Sequence, residues 1–191
     1  MKWHKPYFKD SLGHIYGGTS FNIYGSLCGD QDEWLKENPL NHSQDLVDNL
    51  YSFNDSEIVR HMSQKGRGCF YRERGKLPLD IYFFDKGLRI KMDLSLKEYV
   101  QALIDSCAVG YWQYFYVDID ELVEQNKRLS LRHGGFNRSP SSDEALDSAR
   151  LKYLVDELDN ITTNLPMLFP EKDFSYHKNR LEEIRRRADL I

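Results

Sequence analysis

The stretch that most constrains the fold is Leu77 to Asp118, LPLDIYFFDKGLRIKMDLSLKEYVQALIDSCAVGYWQYFYVD. Leu79, Ile81 and Phe83 alternate with Asp80, Tyr82 and Phe84, and Leu88, Ile90 and Met92 alternate with Arg89, Lys91 and Asp93. A period of two on both sides of Asp85-Lys86-Gly87 predicts a β-hairpin, with Gly87 supplying the positive φ of the turn. One face of that hairpin is apolar and the other mixed, which fits an antiparallel sheet with one covered face. Ser95 and Glu98 then form a capping-box pattern. Leu96, Tyr99, Val100, Leu103 and Ile104 follow at helical spacing, predicting a helix over 95–109 that Gly110 ends in a left-handed cap. Its single apolar stripe lays it on the sheet. The run from Tyr111 to Val117 is too aromatic to face water as a whole.

The flanking sequence is less regular. The TSFNIYGS run, residues 19–26, suits a short strand. Gly17-Gly18 before it leads into a β-like run instead of opening a helix, so it reads as a turn and not as a phosphate cradle. In 28–57 the spacing of Leu46, Val47, Leu50 and Tyr51 predicts a short helix capped by Ser43. Lys65-Gly66-Arg67-Gly68 reads as a turn, and Cys69-Phe70-Tyr71 starts a strand-like run. Residues 118–132 read as a helix with acids in its first turn, which suits the helix dipole better than it suits a metal. The stretch 133–142 is rich in Gly, Ser and Pro and reads as a linker. Ser142 caps a helix through about Leu158, Pro166 and Pro170 break the chain, and a last helix begins near Asp173 with Arg185, Arg186 and Arg187 in its closing turns.

These elements predict an α+β fold: an antiparallel sheet covered on one face by helices, with a C-terminal helical extension. The expected division is a sheet domain over residues 1–132 and a helical extension over 141–191 packed on it.

Charge is distributed unevenly. The whole chain of 191 residues carries a formal net charge of −4, which offers no general field for nucleic acid or anionic lipid. Within it, residues 28–57 hold eight acids against Lys36, net −7, while residues 58–76 hold six bases against Glu73, net +5. The basic stretch has aromatic neighbours, but the adjacent acidic one is available to pair with it, so nucleic-acid binding is not expected. The acidic segment is instead a candidate surface for a basic protein. Its candidate partner-binding residues are Asp30, Asp32, Glu33, Trp34, Glu37, Asp45, Asp48 and Tyr51. The carboxylates would steer encounter, and Trp34 or Tyr51 would anchor the contact.

Other chemistries find no pattern. Cys28, Cys69 and Cys107 form no CxxC pair and read as three buried small apolar residues of a protein from a reducing cytoplasm. The six histidines are scattered, with no HExxH spacing, and no GxSxG or P-loop occurs. The expectation is therefore no catalytic residue, no metal and no cofactor. The N-terminus has no apolar signal region and no run is long enough for a membrane helix. A rival reading places a hydrolytic or ligand-binding site near the Gly-rich N-terminal turns, around His14, Tyr16 and Ser20, with Tyr24 and Trp34 lining a groove. A third gives the C-terminal helices a scaffold role.

The strand pair LDIYFFDKGLRIKM, the helix SLKEYVQALIDS, the GYWQYFY tail and, upstream, GGTSFNIYG together resemble the SUKH superfamily. That group contains bacterial toxin-immunity proteins and the yeast cell-wall-assembly regulator. The resemblance runs over roughly residues 10–118. It implies an α+β binding domain without catalysis, acting as a bacterial antitoxin that occludes a polymorphic toxin, often a nuclease. A basic nuclease toxin is the partner class such a resemblance implies for the acidic segment.

Overall fold

The computed structural model describes residues 2–4, 18–21, 23, 27, 31, 33–56, 66–73, 75, 77–85, 87–133 and 143–189. Six strands, β1 (Lys2–His4), β2 (Gly18–Phe21), β3 (Leu50–Ser56), β4 (Arg67–Tyr71), β5 (Asp80–Asp85) and β6 (Leu88–Met92), form one sheet in the order β1-β2-β3-β4-β5-β6. Every neighbouring pair is antiparallel. Among the described residues the helices are α1 (Gln44–Asp48), α2 (Leu96–Asp105), α3 (Ile119–His133), α4 (Asp143–Leu168) and α5 (Ser175–Arg187), with 3₁₀ turns at Glu33–Lys36 and Trp112–Phe115. The mixed α+β class and the C-terminal helical part are as the sequence predicts.

The chain divides into two compact units between Asp118 and Ile119. The expected boundary lay later, after residue 132. The difference arises because α3 packs with α4 and α5, each of the three helices contacting the other two. Its buried Ile119, Leu122, Val123 and Leu129 belong to that helical core.

In the sheet unit, the β5–β6 hairpin has the expected register. Asp85 pairs with Leu88, Phe83 with Ile90 and Ile81 with Met92, and Gly87 has φ 92°. Period two places Phe70, Ile81, Phe83, Ile90 and Met92 on one face, and α2 with the Trp112–Phe115 turn covers it. The capping box at the start of α2 is present. Ser95 Oγ accepts from the Glu98 N–H, and the Glu98 carboxylate accepts from the Ser95 N–H at 2.8 Å. Tyr99, Ala102 and Leu103 are its buried residues.

A bulge in β3 brings the sheet and α2 together. Ser52 pairs with Cys69 and Asn54 with Gly68, so Phe53 is the extra residue. Two successive side chains can then serve the same interface. Phe53 stacks on Phe70 at 4.1 Å between centroids and meets Tyr99 edge-on at 5.0 Å. Tyr99 donates its hydroxyl hydrogen to Asn54 Oδ1 at 2.7 Å, and Asn54 Nδ2 donates to Thr19 Oγ1 and to the Ser20 carbonyl. Burying this polar string is acceptable because its groups satisfy one another. Gly68 makes room for it: a Cβ there would lie 2.4 Å from Tyr99 Oη and 2.9 Å from Phe53 Cζ. Arg67 and Gly68, read as part of a turn, are in fact the first residues of β4, while Gly66 keeps a turn-like φ of 62°.

The end of α2 departs from expectation. The helix stops at Asp105 with Ser106 as its cap, and Cys107, Ala108 and Tyr111, not Gly110, take left-handed φ values of 54°, 51° and 65°. The Ala108 N–H bonds the Leu103 carbonyl and the Cys107 N–H bonds the Ile104 carbonyl, which is a Schellman motif with cysteine at the position that favours glycine. The packing of Val109, Tyr111, Trp112, Tyr114 and Phe115, all buried, holds this turn against the local preference. Cys107 is itself partly exposed, unlike the buried cysteine expected there, whereas Cys69 is fully buried.

Two further departures have the same origin. Leu50 and Tyr51, read as the end of a helix, belong to β3, because α1 closes after Asp48 and the chain turns into the sheet. In the helical unit, α4 continues ten residues past the expected Leu158 to Leu168, with Pro166 in its final turn. Ile161 and Leu165 extend its buried stripe, so packing carries the helix over the backbone bond that proline removes. The expected N-cap Ser142 lies outside the described residues. Arg187 pairs with Asp120 at 2.7 Å and Arg185 with Asp159 at 2.7 Å, tying α5 to α3 and to α4.

Two substitutions test these contacts. Gly68→Ala should lower unfolding free energy by about 2 kcal/mol in urea titrations, the usual cost of forcing extra volume into a packed core. Cys107→Gly should raise it by about 1 kcal/mol, because glycine adopts the left-handed cap without a Cβ penalty.

Candidate functional site

The acidic segment is built as an outward-facing surface on an inward-facing apolar base. In the 3₁₀ turn Glu33–Lys36, Leu35 is fully buried while Glu33 and Lys36 are exposed and form an ion pair at 3.2 Å. Leu40 is fully buried and Val47 nearly so, while Glu37, Asp45 and Asp48 are exposed. Buried Leu35, Leu40 and Val47 thus lie beneath exposed Glu33, Glu37, Asp45 and Asp48. Leu35 joins Leu50, Cys69 and Phe84 in one cluster, flanked by Leu46, Tyr71 and Tyr82. The segment therefore lies on the sheet face opposite α2.

Polar contacts fix its backbone. Asn38 both donates to the His42 carbonyl and accepts from the His42 N–H, each at 2.8 Å, closing a tight turn in which Asn41 has φ 54°. Ser43 caps α1 by accepting from the Leu46 N–H, as expected. Gln31 donates to the carbonyls of Val47 and Leu50, and the Arg72 N–H donates to the Asn49 carbonyl at 2.8 Å.

The strongest tie is Arg89, which sequence alternation places on the mixed face of the hairpin. It is 1% exposed. Its Nη2 donates to the Leu35 carbonyl and, at 2.6 Å, to the Glu37 carbonyl, while Nη1 reaches the Gly87 carbonyl at 3.4 Å. Its guanidinium sits 5.1 Å from the Phe84 ring centroid. Burial lowers its pKa from the ordinary arginine value, and Cys69 opposes that shift weakly. A buried cation is tolerable when carbonyl dipoles converge on it, and here those carbonyls belong to the acidic segment.

A second tie is Tyr71, whose hydroxyl donates to Asp45 Oδ2. That hydrogen bond, then burial, pushes the Tyr71 pKa up from 10.0 to about 12. Asp45 also accepts from Asn49 Nδ2 at 3.1 Å, and Asp48 accepts from Gln44 Nε2 at 2.7 Å. The two α1 carboxylates thus stand one turn apart with their rotamers held.

Of the eight residues singled out from the sequence, Glu33, Glu37, Asp45 and Asp48 are exposed on this segment, and its 3₁₀ turn and α1 contact each other. Tyr51 is half-buried on β3, with the Arg72 guanidinium stacked on its ring at 3.8 Å. Arg72 also donates to the Leu27 carbonyl at 2.9 Å, so this cation of the basic stretch serves an aromatic ring and a carbonyl. Trp34 contributes backbone to the 3₁₀ turn. Asp30, Asp32 and the Trp34 side chain lie outside the described residues. So do His14, Tyr16 and Tyr24 of the rival site. Its remaining member, Ser20, is a β2 residue paired with Lys2 and Asp55, and its carbonyl accepts from Asn54. Among the described residues no group of three or more His, Cys, Asp or Glu could hold a metal, and no helix is long and apolar enough to cross a membrane.

Neither a family model, nor a curated protein, nor a solved structure matches the chain.

Two measurements probe the mounting. Arg89→Ala should cost about 3 kcal/mol of stability, since it strands buried carbonyls that the guanidinium satisfies. It should also raise amide exchange over 35–40 more than over β5. The raised Tyr71 pKa contributes stability that is complete below pH 10, the unfolded value, and lost as pH climbs through about 12. Tyr71→Phe should remove that loss, read as a flatter stability profile between pH 10 and 12.

Proposed function

We propose that the protein is a non-catalytic protein-binding domain whose acidic segment docks on a basic protein. One observation carries the reading: Glu33, Glu37, Asp45 and Asp48 are exposed on a backbone pinned to the sheet through Arg89. A charged surface mounted this way loses little freedom on association, so its carboxylates act on encounter and register without a large ordering cost. Tyr51, under Arg72, and Tyr71, bonded to Asp45, add half-buried aromatic area at its edge.

The SUKH-like form of this reading is more specific. The protein is then a cytoplasmic bacterial immunity protein, and its partner is a toxin domain, a basic nuclease being the class that the charge fits best. The acidic segment would cover the toxin's cationic substrate-binding surface in place of nucleic acid. The resemblance of the 77–118 stretch and the charge of the 33–48 segment support this form.

The test uses the product of a toxin-like gene adjacent to this one. Binding is measured by stopped-flow and calorimetry at low and high salt, with wild type and with Glu33→Lys, Glu37→Lys and Asp48→Lys combined. Asp45 is spared because it holds Tyr71. The association rate should fall at least tenfold in the variant, and its salt dependence should shrink, with an unchanged circular dichroism spectrum. Equal binding by both proteins would remove the acidic segment from the interface, and the absence of binding by wild type would remove the immunity reading.

A further inference from the structure

We draw no further inference here: the strongest candidate, the groove of the helical unit between α4 and α5 lined by Asp159, Thr162, Lys178, Leu181 and Glu182, specifies no ligand chemistry, because both of its carboxylates are already held by Arg185 and its remaining charge is a lone exposed lysine.

Discussion

The sheet unit depends on one buried guanidinium. Residues 35–40 form neither a strand nor a full helix, so their carbonyls have no ladder to bond to. Laid against a sheet, such carbonyls need donors, or the segment lifts into water. Arg89 supplies them from beneath, reaching Leu35 and Glu37 with one nitrogen. Lysine would bring a compact, more strongly hydrated charge, whereas the planar guanidinium can spread its N–H groups over several carbonyls and still lie near Phe84. The burial of a charge and the irregularity of the segment above it are therefore two sides of one arrangement, and each would be unfavourable alone.

The opposite face is solved differently. There the cover is a regular helix whose backbone satisfies itself, so the interface can be aromatic and closely packed. The difficulty lies in distance. Tyr99 is large, and it reaches Asn54 only because Gly68 lacks a side chain beneath it and because the β3 bulge turns Phe53 and Asn54 to the same interface. The left-handed residues after α2 extend this logic. Cys107 and Ala108 accept an unfavourable φ so that the chain reverses at once and sets Trp112, Tyr114 and Phe115 into the core. Packing of that size outweighs about 1 kcal/mol of local preference at each position.

Much of the fold was legible in the sequence where local and tertiary demands agree. The β5–β6 hairpin, the Ser95–Glu98 box and the Ser43 cap each follow from a few neighbouring residues. Local signals mislead where a distant contact decides. Leu50 and Tyr51 continue a helical spacing, yet pairing with β4 claims them for a strand. Gly110 looks like the helix stop, yet the reversal comes three residues earlier. Arg89 alternates with Lys91 on the mixed face of the hairpin, and nothing local marks it as buried, since its two closest acceptors lie more than fifty residues upstream in the chain. In the candidate site, the acidic residues could be named from composition. Their mounting could not, because Tyr71 and Arg89 are far from them in sequence.

This asymmetry bears on which residues a partner would feel. A carboxylate on a loose loop contributes little once it is screened and must be ordered on binding. The same carboxylate on a backbone held by buried contacts arrives ordered. Glu37 shows the coupling most directly: its side chain is exposed while its own carbonyl accepts from Arg89. A change at Arg89 would alter the surface without touching it, and a change at the Glu37 side chain would alter the charge without loosening the mount. Surface charge and stability are thus separable at adjacent atoms of one residue, the exposed carboxylate on one side and the carbonyl bonded to Arg89 on the other.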